Sequence, residues 1–503
     1  MSGQTFKSSI YSLKAKFFIY RALAYFSFLL LPIWLQKSVN LHHSVQGLVM
    51  IFYISFMICQ WYLLGKEIDH RFKIYFKVNS SLDRAVYRLL VGMISFIFYF
   101  NLLSLLPSKW TYNGFWITWV LLGIFYSWPT RGKIIRESVT NHFRDWHYLD
   151  SFEKTLLILI GLFFFITVPD LPSFASYDAL KLYLDPGQQA NFQWWNFLTV
   201  NYYPFFGYEH LFKMALFMHY YFVNIGIFLL MLYVMLRFFV YRRLAILGVF
   251  AFISSWSLIK ILETSAGMAL SLPGIFSLLW IWSMLWAIRS ATYRSGFILG
   301  LISYWGTIIY RDYAYLTIIQ FALIFFFMRK NNVWYKKQLL KYSLVGLSLT
   351  LLTVLLTTRP LLDNFNFQAS TRGIVDTFLL LLDRKAFYGL SLIGLIIWIL
   401  KLKFPYGKWT GQIYFDRQKQ IQLSVAWPAL MLFGYFFDRS LMQAFSLMWP
   451  LVLLSVIVLE ALFQKINRMR SQRNMIYLIY IIICLLDSHI EGRMKICAKF
   501  FDL

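Results

Sequence analysis

Asp170 and Asp178 stand at the head of a segment, 170 to 210, that is aromatic and mildly acidic in a chain otherwise dominated by apolar runs. A carboxylate held at the edge of hydrocarbon resists ionisation and is suited to work as a general base. Glu209 and His210 close the same segment, and the pair Arg311 and Asp312, with Arg359, follow further along. A guanidinium binds two phosphate oxygens through its fork of donors and keeps its charge. Together these residue types offer a general base and a ligand for phosphate oxygens. Each also has a plainer reading. Asp170 lies between Pro169 and Pro172 and so marks the end of a helix. Arg311 and Asp312 form a self-neutralising turn, and Glu209 and His210 cap the run that follows. No HExxH, DxD or Cys/His cluster accompanies them, so neither a metal nor another cofactor is expected.

The elements that must position these residues are apolar and numerous. Hydrophobic residues make up 59% of the 503, aromatics 20% and charged residues only 14%, against roughly a quarter charged in soluble domains. Apolar runs near the length needed to cross about 30 Å of hydrocarbon recur throughout. The expected fold class is therefore all-α: a polytopic transmembrane helix bundle of about 13 to 15 spans, with short interfacial helices in an outer loop. Among the expected spans are 16 to 36, 45 to 65, 113 to 130, 155 to 169, 211 to 238, 243 to 262, 441 to 463 and 474 to 487.

Basic residues set the expected orientation, because Lys and Arg beside spans are retained on the cytoplasmic side. With the N-terminus inside, the inner segments, including 66 to 88, 131 to 154, 237 to 243 and 464 to 473, hold roughly 33 Lys and Arg, and the outer ones roughly 14. A basic excess spread over every inner turn accounts for the net charge of +26 without a nucleic-acid partner, which would gather charge on one face. Membrane lipid is the expected surround. The first span, entered from a basic segment without a small-residue cleavage site, is expected to serve as a signal anchor. Cys59 and Cys484 fall within spans and Cys497 in the tail, so no disulfide framework is expected.

The natural division lies near 150. It separates an N-terminal four-span membrane region, 1–150, from a second membrane region, 151–503, which carries the outer loop 170–210. The joining segment RGKIIRESVTNHFRDWHYLDSFEK is long enough for an amphipathic surface helix, or serves as a solvated connector. Within the outer loop, SYDALKLYL sets Tyr177, Leu180 and Leu184 on one side of a short helix that Pro186 and Gly187 stop. NFQWWNFLTVNYYPFF suits an interfacial aromatic belt, or stacking on sugar and isoprenoid.

From about 155 to 463 the layout resembles the GT-C-fold polytopic glycosyltransferases. The resemblance rests on a span that ends at Asp170, the interfacial SYDALKLYL helix, and the return stretch YYPFFGYEHLFKM. It continues through the Pro-led LPGIFSLLWIWSMLWAIRS, the run ending at Arg311, and the late pair DRSLMQAFSLMWPLVLLSVIVLEAL. The four spans before 150 and the lack of an adjacent acidic pair depart from that layout. The resemblance implies transfer of a sugar from a polyprenyl-phosphate-linked donor to a glycan, lipid or protein acceptor on the extracytoplasmic face. Asp170 would be the base, Asp178 its alternate, and Arg311 or Arg359 the ligand of the lipid phosphate. The expected location is the bacterial inner (cell) membrane, with the N-terminus cytoplasmic. The rival readings are a transporter or flippase of a lipid-linked or anionic substrate, and a glycan polymerase or ligase.

Overall fold

The computed structural model describes the runs 18–37, 43–72, 88–93, 108–128, 149–166, 225–256, 278–283, 449–456, 470–486 and 488–492, with single residues and pairs outside them. Among the described residues the chain is all-helical, and no strand occurs. It divides into two compact units, and one of the boundaries between them falls between Leu149 and Asp150.

The first unit holds α1 (Phe18–Leu29), α2 (Leu31–Lys37), α3 (His43–Phe72) and α4 (Ser108–Ser127). Helix α1 passes into α2 at Leu30, where the missing N–H of Pro32 weakens the ladder. Helix α3 runs seven residues past the expected end of its span at 65, because Asp69, 2% exposed, finds a partner in Arg88 at 2.8 Å and carries the last turn inward. Residues 88–93 cross α3 at Gly65 and Gly92. A Cβ on Gly65 would strike the Arg88 carbonyl, and one on Gly92 the Trp61 carbonyl, so the backbones themselves touch. An aromatic core joins α1, α3 and α4: Tyr25 and Phe28 flank Phe56 at 5.0 and 5.8 Å, and Trp119 lies 6.0 Å from Phe56 and 5.2 Å from Phe96. The Tyr25 hydroxyl donates to the Trp119 carbonyl at 3.0 Å.

The second unit holds α5 (Ser151–Ile166), α6 (Gly226–Phe239), α7 (Arg242–Ile253) and α8 (Arg470–Leu486). Helix α7 is its centre, with every residue from Leu244 to Ile253 buried. Its neighbours fix their directions by what they touch. Glu153 meets Arg242 near the starts of α5 and α7, and Phe163 meets Phe250 near their ends, so the two run parallel. Helix α6 is antiparallel to α7, since Phe228, near its start, lies 4.7 Å from Phe252 and the two are joined through Val240 and Tyr241 alone. Helix α8 is parallel to α7: Tyr477 packs on Phe152 at 5.0 Å near one end, and His489 on Trp256 at 5.3 Å near the other. Gly248 leaves room for Leu236, Val452 and Val456, and Ser455 shares a 2.8 Å hydrogen bond with Tyr480.

Apolar side chains also face outward, in stripes at helical spacing. Helix α4 exposes Ile117, Val120, Leu121 and Ile124; α5 exposes Ile158, Leu162 and Phe165; α8 exposes Met475, Leu478, Ile479, Ile482 and Leu486. Helix α3 exposes Leu48, Ile51 and Phe52 while burying Gln46, Tyr53 and Gln60, three positions a heptad apart on the opposite face. By length and composition, the segment Val45–Arg71 of α3 is the one described helix long and apolar enough to cross a membrane. The apolar helices Phe18–Leu29, Trp116–Ser127, Gly226–Arg237 and Arg473–Leu486 are shorter.

Candidate functional site

Charge in the second unit gathers where α5, α7 and α8 begin. Helix α5 opens four residues earlier than its apolar run suggests, through a reciprocal cap. The Glu153 N–H donates to Asp150 Oδ1 at 2.7 Å, and the Asp150 N–H donates back to Glu153 Oε2 at 3.1 Å. That cap aims the Glu153 carboxylate at α7. Arg242 Nε donates to Oε1 at 2.8 Å and Nη2 to Oε2 at 2.7 Å, a two-pronged pair with the carboxylate 2% exposed and the guanidinium 39%. The hydrogen bonds to Glu153 hold the Arg242 guanidinium above its ordinary pKa, against the opposing effect of its partial burial. Every oxygen of Glu153 is thereby occupied, so the group serves as a clasp between helices rather than as a base.

Beside the clasp, Arg243 forms an ion pair with Asp150, both about one third exposed. Tyr477 lies near Arg243 and near Arg473, one helical turn before it, and both positive charges act on its hydroxyl. The opposite end of the same helices is built differently. His489 takes a left-handed backbone, φ 46°, and lays its ring against Trp256. A non-glycine residue adopts that conformation at a cost of about 1 kcal/mol, and His more readily than most. Gly492 lets the Trp256 ring approach, since a Cβ there would meet it at 2.8 Å. Gly226, opening α6, lies against Phe164 near the end of α5.

The residues singled out from the sequence, Asp170, Asp178, Glu209, His210, Arg311, Asp312 and Arg359, lie outside the described residues. So do the loop helix SYDALKLYL and, apart from Leu211, the aromatic return stretch. Helix α5 is described to Ile166, four residues before Asp170. Among the described residues, no three His, Cys, Asp or Glu side chains converge as a metal site would require. Asp150, Glu153, Arg242 and Arg243 fall within the segments 131 to 154 and 237 to 243, expected from the sequence to be inner connectors. The spacing of Asp150 and Glu153 before an apolar run was the available signal for the cap. His489 had no comparable signal.

Comparison with protein-family profiles, with curated proteins and with solved structures gives no match to this chain.

Proposed function

We propose that the chain is a polytopic integral membrane protein that transfers a sugar from a polyprenyl-phosphate-linked donor to an acceptor on the extracytoplasmic face. The observation that carries the membrane part is the set of outward apolar stripes on α3, α4, α5 and α8, matched on α3 by polar residues turned inward. In water such stripes are a liability; in lipid they are the solvated surface. Helix directions give further support. The expected spans at 155 to 169, 243 to 262 and 474 to 487 alternate in the sequence so as to share one sense, and their described helices run parallel, with α6 opposed. Their charged starts then lie on the side where basic residues are densest, the cytoplasmic side in this reading.

The transfer reading rests on the sequence layout around Asp170. The acceptor hydroxyl gives its proton to Asp170 or Asp178 as its oxygen attacks the anomeric carbon, and the polyprenyl phosphate leaves with the electron pair of the broken bond. Arg311 or Arg359 offsets the charge that builds on that phosphate. Purified protein supplied with a panel of polyprenyl-phosphate-linked hexoses and pentoses should release the free lipid phosphate in the presence of an acceptor. Asp170→Asn should lower that rate at least about a hundredfold. An unchanged rate in both Asp170→Asn and Asp178→Asn rejects the assignment of the base.

A second reading, a transporter or flippase, is favoured by one feature. Gln46, Tyr53 and Gln60 place polar groups along the buried face of the helix long enough to cross a membrane, where a substrate path would need them. Movement of a labelled polyprenyl-linked sugar across protein-containing liposomes, without release of lipid phosphate, would replace the first reading with this one.

A further inference from the structure

Arg243, Tyr477 and Arg473 form a cluster of donors around an acid that belongs to the chain itself. Asp150 reaches Arg243 from the N-cap of α5, and its side chain is 31% exposed, with Arg243 at 36%. This ion pair differs from the clasp beside it. Glu153 is sealed from solvent and bonded at both oxygens, whereas Asp150 sits at the margin and spends Oδ1 on its cap, leaving Oδ2 for Arg243. A partly exposed pair of that kind contributes little to stability and exchanges readily with another anion.

The surroundings suit an anion with a hydrocarbon tail. Tyr477 is 6% exposed and packs on Phe152, closing the inner wall. On the neighbouring face of α8 the outward stripe begins at Met475 and continues through Leu478, Ile479 and Ile482. Donors at the start of the helix and an apolar track leading away from them match the two ends of a phospholipid.

We propose that Arg243, Arg473 and Tyr477 bind the phosphate of an anionic lipid headgroup, with the acyl chains along the outer face of α8 and Asp150 as the internal competitor for Arg243. The proposal rests on the membrane reading above but not on sugar transfer. It makes Asp150 an electrostatic counterpart to the lipid: when the headgroup is bound, Arg243 turns to phosphate, and Asp150 keeps only its cap to α5.

Asp150→Asn separates these two roles. Asn retains an Oδ1 for the Glu153 N–H and is as good an N-cap as Asp, but it no longer carries the charge that occupies Arg243. The wild type, Asp150→Asn and Arg243→Gln/Arg473→Gln would be purified in detergent, and retention of dioleoyl-phosphatidylglycerol measured by native mass spectrometry. Dioleoyl-phosphatidylcholine and inorganic phosphate serve as the other two probes. The expected result is a gain of about fivefold in phosphatidylglycerol affinity for Asp150→Asn, the size set by release of one partly exposed ion pair. The double Arg variant should lose that lipid while phosphatidylcholine stays at background for all three. Because Asp150→Asn is read as a gain, poor folding cannot imitate it. Unchanged or weaker retention in Asp150→Asn overturns the proposal, as does equal retention of phosphatidylcholine. A gain with inorganic phosphate and none with the lipid overturns the headgroup assignment. If the protein is absent from the membrane fraction of the cells that make it, the membrane reading itself fails; if it is present there and the variants bind alike, only this inference fails.

Discussion

Replacing Arg242 by Gln should harm the protein far more than replacing its partner Glu153, although either change breaks the same ion pair. The asymmetry comes from solvent. Arg242 is 39% exposed and, on losing Glu153, turns to water at little cost. Glu153 is 2% exposed and, on losing Arg242, keeps one donor, the Asp150 N–H, for a carboxylate that water cannot reach. Removing one partner from a buried pair costs about 3 to 5 kcal/mol, and the surviving cap bond puts Arg242→Gln near the lower end, at about 3 kcal/mol. Glu153→Gln keeps an acceptor for the Asp150 N–H and leaves no buried charge, so about 1 kcal/mol is expected. In the double variant Glu153→Gln/Arg242→Gln the stranded charge is gone, and part of the loss in Arg242→Gln should return as a coupling of about 1 to 2 kcal/mol.

The assay is thermal unfolding in one detergent, by intrinsic tryptophan fluorescence, for the wild type and the three variants. Equal losses for the two single variants, or a double variant worse than Arg242→Gln, would refute the argument. The pH dependence has a definite sign. A guanidinium held above its ordinary pKa contributes stability that is fully present below its unfolded value and is lost only as pH rises through the folded one. On the Arg242 side the contribution should therefore stay flat from about pH 6 to about pH 9.

Ile479→Lys tests the outward stripe: on a water-facing surface it should change stability by less than about 0.5 kcal/mol, whereas near the middle of a lipid-facing helix it should cost about 2.5 to 3.5 kcal/mol. Membrane-fraction yield together with thermal unfolding reads the difference, and an unchanged protein counts against lipid on that face of α8. Gln60→Leu removes a buried amide whose carbonyl oxygen has no hydrogen-bond partner among the described residues, so stability should hold or rise by about 1 kcal/mol. Under sugar transfer its activity is also unchanged, and loss of substrate movement in liposomes would instead give the polar face of α3 to a transport path.

Helix content was legible because long apolar runs in this chain have few other outcomes: the runs at 155 to 169 and 474 to 487 each find a helix within a few residues, and the run at 243 to 262 finds α7, which ends at Ile253. The ends moved for reasons the apolar pattern does not contain. Asp150 and Glu153 extend α5 by a cap, and Asp69 extends α3 by an ion pair to Arg88. Which face of α4 points inward was not legible, because both its faces are apolar and periodicity then separates nothing. The polar heptad of α3 was readable as spacing, yet its burial is a tertiary fact. The partner of Glu153 was beyond reach as well: Arg242 lies 89 positions away, and no local rule pairs them. The chemistry read from Asp170, Asp178 and the arginines falls outside the described residues.

The clasp lies at one end of α5, and Asp170, the proposed base, follows the other end by four residues in the sequence, which gives Glu153 and Arg242 a consequence beyond stability. Ile166 lies 13 residues from Glu153, about 20 Å along a rigid helix. Between them the described ring contact to α7 is Phe163 on Phe250, an edge-to-face pair that tolerates sliding better than a two-pronged ion pair does. A slip of one residue in the register of α5 against α7 would shift the exit of the helix by about 1.5 Å and turn it by about 100°. Misplacement of a catalytic group by about 1 Å is enough to lose about a hundredfold in rate. If Asp170 works where the chain leaves α5, Arg242→Gln should lower transfer by more than its loss of folded protein explains, at a temperature where the variant remains fully folded. A rate that follows the folded fraction alone would confine the clasp to stability.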